Sequence, residues 1–145
     1  MIRAVFQAFI LGGMTLLAAA ATHLLHPRAP ALYLQDSPLR EHEITLQQIE
    51  ERWQNKVLWL DARPDEQYQE DHIPGALQLN EQKFDEHLLA LLDTLQTTDM
   101  PVIIYCGGEK CEASHRVREK LTPLVPLDTC LILKGGWPAW KAARQ

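Results

Sequence analysis

A mainly parallel α/β sheet covered by helices on both faces is the fold class this sequence predicts, behind one apolar N-terminal helix. Three observations predict it. Short continuous apolar runs alternate along the chain with stretches of helical periodicity. The apolar runs lack polar alternation, as strands buried on both faces require. A separate run of about 20 uncharged residues precedes all of them, long enough for a bilayer core.

That run, Ala4 to Leu25, reads AVFQAFILGGMTLLAAAATHLL, and only Gln7, Thr15, Thr22 and His23 in it are clearly polar. Arg3 and the amino terminus precede it, so the positive-inside tendency keeps that end in the cytoplasm. The rest of the chain then faces the periplasm or the cell exterior. Residues 1–28 are read as a membrane-spanning signal anchor, because the run is longer than most signal-peptide cores. The alternative is a signal peptide cleaved near Ala18 to Ala21, which would leave a secreted domain. A buried core helix is disfavoured, since polar residues are missing from every face. Pro27, Pro30 and Pro38 make the next stretch extended, a linker over 29–42, and the folded domain is expected over 43–145.

Within the domain, Thr45 and Gln48 form a capping box, with Ile44 and Ile49 at the positions of a hydrophobic staple, so a helix runs to about Gln54. Val57-Leu58-Trp59-Leu60 is a buried strand ending at Asp61. Pro64 opens a short helix with Asp65 and Glu66 in its first turn. Ile73-Pro74-Gly75-Ala76 is a turn and Leu77-Gln78-Leu79 a short strand. Phe84, Leu88, Leu91, Leu92 and Leu95 share one face of a helix over 82–96. Val102-Ile103-Ile104-Tyr105 is the clearest strand, β-branched and uninterrupted, and it stops at Cys106. A helix established by Ser114 turns Val117, Leu121 and Leu124 inward, and Cys130-Leu131-Ile132-Leu133 is the last strand. Gly135-Gly136 then turns the chain into a helical turn starting at Trp137. Trp53 and Trp59 read as core, and Trp137 and Trp140 as a cover for the sheet or the loop.

Composition excludes some functions. The net charge is −5 with no basic stripe, which argues against a nucleic-acid partner. Three cysteines are too few, and odd in number, for a disulfide-stapled scaffold. They point to chemistry or to core burial. In parallel α/β sheets the site lies beyond the carboxyl ends of the strands, which is where Cys106 stands. A following helix N-terminus stabilises a thiolate. Gly107 and Gly108 are expected to let several backbone N–H groups face one anion there. Cys106 is therefore the candidate nucleophile, and 107–112 the candidate substrate-binding loop: Gly107, Gly108, Glu109, Lys110, Cys111 and Glu112.

Four blocks carry a family resemblance over about residues 43–142. Leu60-Asp61-Ala62-Arg63 resembles the rhodanese Asp-Val-Arg motif. His72-Ile73-Pro74-Gly75-Ala76, Tyr105-Cys106 and Gly135-Gly136-Trp137-Pro138-Ala139-Trp140 match its other signatures in order. The resemblance implies a rhodanese-like three-layer sandwich and transfer of sulfane sulfur through a Cys106 persulfide to a thiol or cyanide acceptor. The partners it implies are a small sulfur donor and a thiol acceptor, which a protein can supply; the membrane is engaged by the N-terminal helix. Asp61, Arg63 and His72 are read as structural supports. No cofactor and no metal is called for, because Cys106 and Cys111 make one pair with only His72 or His115 to join it. Cys130, inside an apolar strand, is read as core.

The loop departs from the family's Cys-x-x-Gly-x-Arg-Ser. Glu109 stands at the Gly position and Cys111 at the Arg position, and Ser114 comes two residues late. Glu109 and Glu112, only partly offset by Lys110, disfavour an anionic donor such as thiosulfate. Cys111 is read either as a resolving thiol for the Cys106 persulfide or as a spare loop residue. The alternative function is a thiol–disulfide redox or sulfur-sensing module using Cys106 and Cys111. Phosphatase chemistry is disfavoured, since the arginine it needs for the phosphoryl oxygens would fall at Glu112. A non-catalytic binding domain would be marked by loss of the cysteine, which is present.

Overall fold

The computed structural model describes residues 38–108 and 112–144. The apolar run 4–25 and residues 29–37 of the expected linker lie outside them. Among the described residues no helix is long and apolar enough to cross a membrane.

Five strands form one sheet: β1 (Glu43–Ile44), β2 (Leu58–Asp61), β3 (Leu77–Gln78), β4 (Val102–Tyr105) and β5 (Cys130–Leu133). Their order is β1-β5-β4-β2-β3, and every pairing is parallel. The helices are α1 (Leu46–Trp53), α2 (Asp65–Glu70), α3 (Phe84–Thr97), α4 (Ala113–Leu121) and α5 (Gly136–Ala142).

Strand periodicity splits the core in two. Leu58, Leu60, Val102 and Ile104 point to one face, where Phe84 and Leu95 of α3 and Val117 and Leu121 of α4 cover them. Trp59, Ile103 and Tyr105 point to the other, against Ile49 of α1 and Trp137 and Trp140 of α5. The expected three layers are thus present. Strands β2 and β4 are buried along their whole length, which is why their sequences are unbroken apolar runs.

Local signals act where they were expected. The Thr45 side chain accepts from the Gln48 N–H at 3.2 Å, and the Gln48 side chain accepts from the Thr45 N–H at 3.1 Å. Ile44 and Ile49 are both buried. Helix α1 ends as Gln54 and Asn55 turn left-handed, with φ of 52° and 61°.

Three expectations are corrected. The last residue of the stretch read as linker bonds to the fold, as the Ile132 N–H donates to His42 O at 2.8 Å, and Glu43–Ile44, expected to lead into a helix, forms a strand first. A strand of two residues carries too little pattern to be seen in sequence. Leu124 is 58% exposed, because α4 ends at Leu121 and Val125 takes the inner position. Trp53 is only partly buried at the edge of its cluster.

Cys130 is buried in β5, and burial pushes its thiol up to about 11. An unfolded cysteine titrates near pH ~8.5. The folded chain therefore holds this proton longer, so the stability it contributes is complete below the unfolded pKa and is lost as pH rises through the folded one. Denaturation at stepped pH is expected to show an alkaline loss of up to about 3 kcal/mol that Cys130→Ala lacks. Parallel alkaline losses in both proteins would remove the thiol as the cause.

Candidate active site

Cys106 follows β4, the central strand, so the sheet delivers it to the carboxyl end of the fold. It is 3% exposed. The Ser114 hydroxyl donates to its Sγ at 3.4 Å, and the thiol faces Gly108 O at 3.5 Å. Ser114 is itself buried, in the first turn of α4, so the positive end of that helix lies beside the sulfur. The amide ring expected around the sulfur runs through Glu109, Lys110 and Cys111, which lie outside the described residues, as does any Cys106–Cys111 bond. Cys130 is a free thiol.

The sequence reading left Ser114 out of the site because it stands late in the loop. Its helical spacing was the available signal. Ser114, Val117 and Leu121 sit at i, i+3 and i+7, and all three are buried. Ser114→Ala is expected to slow alkylation of Cys106 by iodoacetamide about tenfold at neutral pH, with a smaller effect at alkaline pH, because a thiolate loses one donor. An unchanged pH–rate profile would leave Ser114 a packing residue only.

The two glycines after Cys106 are not the ones under conformational demand. Neither Gly107 nor Gly108 has positive φ. Gly135 and Gly136 have φ of 75° and 54°. A Cβ on Gly136 would stand 2.2 Å from Cys106 O and 3.2 Å from Gly108 N. The start of α5 is thus seated against the loop backbone, and the Trp137 N–H donates to Cys106 O at 2.8 Å.

Asp61 and Arg63 support this platform from below. The Arg63 Nε donates to both Asp61 oxygens at 3.0 Å, and its NH2 donates to Asp61 Oδ2 and to Asp71 O, each at 2.7 Å. The guanidinium lies 4.6 Å from the Trp137 ring centre and 5.5 Å from that of Tyr105. Burial lowers the Arg63 pKa, but the hydrogen bonds and charge of Asp61 outweigh it and leave the pKa raised. The Tyr105 hydroxyl accepts from the Ile73 N–H at 3.2 Å; burial, then Asp61, raises its pKa. His72 stacks on Tyr68 and places Nδ1 2.8 Å from Tyr68 O. These three residues brace the turn and strand ends.

Acidic side chains at the N-cap of α4 or against that helix face basic or imidazole partners. Glu112 pairs with Arg40 at 3.0 Å, and Glu81 with Arg116 at 2.6 Å. Glu43 lies 3.6 Å from His115. Arg40 was invisible as a site neighbour because it stands 72 residues from Glu112. Among the described residues no group of His, Cys, Asp and Glu side chains is placed to hold a metal ion.

A family model described as "Rhodanese-like domain" matches residues 45–143. No curated protein matches the chain. Among solved structures, the chain is similar to a protein of Bacillus halodurans, at 24% identity and TM-score 0.53, over 71% of this chain and 73% of that one. It is similar to a rhodanese-related protein of Thermoplasma volcanium, at 16% identity and TM-score 0.54, over 70% of this chain and 92% of that one. It also resembles a thiosulfate sulfurtransferase of Pseudomonas aeruginosa, at 24% identity and TM-score 0.54, over 74% of this chain but only 20% of that one. These likenesses show the all-parallel α/β fold. With the family model spanning most of its length, this chain belongs to the rhodanese-like family.

Proposed function

We propose that this domain is a sulfurtransferase in which Cys106 carries sulfane sulfur as a persulfide. The observation that carries the reading is the placement of Cys106 at the end of the central parallel strand, with the Ser114 hydroxyl on its sulfur and the start of α4 beside it. Family membership and the likeness to a sulfurtransferase support it. The Cys106 thiolate attacks the outer sulfur of the donor, the donor's S–S bond breaks, and the leaving group departs with the electron pair. An acceptor thiolate or cyanide then attacks the outer sulfur of the persulfide and restores the Cys106 thiolate.

The test is intact-protein mass after incubation with sulfane donors. Wild type is expected to gain one sulfur atom and Cys106→Ser none. A Cys111→Ser protein that still gains sulfur makes Cys111 dispensable for loading and leaves it either a resolving thiol or a spare loop residue. No gain in wild type with any donor would sink the enzyme reading. A reducible Cys106–Cys111 bond in its place would establish the redox module. The reading also tethers the domain to a membrane through the uncharged run 4–25, facing the periplasm or cell exterior, or releases it there after cleavage. Membrane extraction and protease protection of the full chain separate these outcomes from a cytoplasmic domain.

A further inference from the structure

We propose that the groove between α1 and α5 binds small aromatic carboxylates, with Arg144 holding the acid group and Trp140 beside the ring. Nothing in this site depends on sulfur transfer.

The groove follows from how the chain leaves its helices. Helix α1 ends as Gln54 and Asn55 turn left-handed, and the Val57 N–H donates to Asn55 O at 3.0 Å just before β2. The Ile73–Ala76 turn closes as the Ala76 N–H donates to Ile73 O at 2.8 Å. Between these turns and α5 lies a cavity of about 550 Å³, lined by Val57, Trp59, Ile73, Met100 and Trp140. Small-molecule sites run to ~300–1,000 Å³, so it has room for a ligand of one or two rings. Val57 and Trp59 are nearly buried, but Met100 is 46% exposed, so apolar surface stays open to solvent here. Among the described residues, Cys106, Gly107 and Gly108 do not line it.

The rim decides which ligand fits. Glu50 and Gln47 of α1 are engaged: the Glu50 carboxylate accepts from the Asn55 amide, and the Gln47 amide donates to Glu51 at 2.8 Å. The Arg144 guanidinium lies 4.7 Å from the Trp140 ring centre, and among the described residues no carboxylate pairs with it. A guanidinium over an indole keeps N–H donors for another group, and a carboxylate takes two of them at once. Aromatic walls and one open cation therefore select a flat apolar body with an anionic end. A cationic ligand would meet Arg144 as a like charge. Trp140 also stacks on Trp137 at 5.2 Å, and the Trp137 N–H donates to Cys106 O. An occupant thus lies against the helix that seats the Cys106 backbone.

The test titrates the full chain with iodophenylpropionate, the matching alcohol and the matching amine. Iodine quenches indole fluorescence on contact, and both Trp59 and Trp140 line the groove. The variants are Arg144→Gln and, as a control, Arg52→Gln. Arg52 also lies over an indole, 6.0 Å from the Trp53 ring centre, but outside the groove. Both arginines are exposed, so neither change disturbs the core. Wild type is expected to show saturable quenching, with the acid about fivefold tighter than the alcohol and the amine weakest. Arg144→Gln should bring the acid to the level of the alcohol and leave the alcohol almost unchanged. Arg52→Gln should alter neither. Quenching that rises linearly and equally for all three probes would overturn the proposal, since partition into an apolar phase behaves that way. So would saturable binding without preference for the acid, which would mark the groove as a seat for a neutral apolar partner. An acid preference that survives Arg144→Gln, or falls equally in Arg52→Gln, would place the cation elsewhere and overturn it too.

Discussion

Arg63→Met is expected to destabilise the domain by about 3–5 kcal/mol, the cost of leaving a buried carboxylate without its partner. Asp61 is fully buried and Arg63 is 4% exposed. The guanidinium satisfies both carboxylate oxygens and the Asp71 carbonyl, and it packs against Trp137 and Tyr105. Removing it takes the guanidinium donors from a buried carboxylate, which keeps the backbone N–H of residue 63 at Oδ1, and from the part-buried Asp71 carbonyl. Asp61→Val combined with Arg63→Met should recover much of the loss, because neither charge then remains to be solvated. The measurement is the urea midpoint at unchanged slope. A single-variant loss under about 1 kcal/mol would mean that water replaces the guanidinium, and that the pair does not brace the site.

Gly136→Ala is the second large effect. Its Cβ would meet Cys106 O at 2.2 Å and Cys106 C at 3.0 Å, both of them backbone atoms that cannot turn aside. The φ of 54° adds strain for any residue with a Cβ. The strand-to-loop junction and the start of α5 must separate, breaking the Trp137 N–H to Cys106 O bond. A loss of about 3 kcal/mol or more is expected. Any folded fraction should load sulfur on Cys106 about a hundredfold more slowly, since the nucleophile is displaced. Two internal controls separate crowding from conformation. Gly75 has φ of 80° with nothing near its missing Cβ, and Gly75→Ala should cost about 1–2 kcal/mol. Gly108 has open space and no positive φ, and Gly108→Ala should be nearly neutral for stability. If Gly136→Ala is as stable as Gly108→Ala, the seating of α5 on the loop is wrong.

These variants also show where a sequence stops being readable. Helix α1 was legible because its cap, staple and periodicity lie within six residues and act on one another locally. Strands β2 and β4 were legible because burial on both faces leaves an unbroken apolar run. The placement of Cys106 was legible because an unbroken apolar run ends just before it, and the sheet carries that end to its carboxyl edge. A Gly-Gly pair beside Cys106 looks like the source of backbone freedom, but the positive φ values are at Gly135 and Gly136. Only the packing of α5 shows that the crowded backbone is at Gly136.

Local chemistry alone therefore determined four of the five strands, the helices between them, the parallel sheet and the strand-end position of Cys106, because propensity, capping and burial patterns are written in neighbouring residues. Tertiary structure decided which distant groups meet around Cys106 and its loop. Ser114 reaches the sulfur because α4 starts where it does, Gly136 meets Cys106 because α5 folds back on the loop, and Arg40 meets Glu112 because β1 pairs with β5 at the sheet edge. Contacts between residues far apart in the chain depend on strand order and helix docking, and no local pattern encodes those distances.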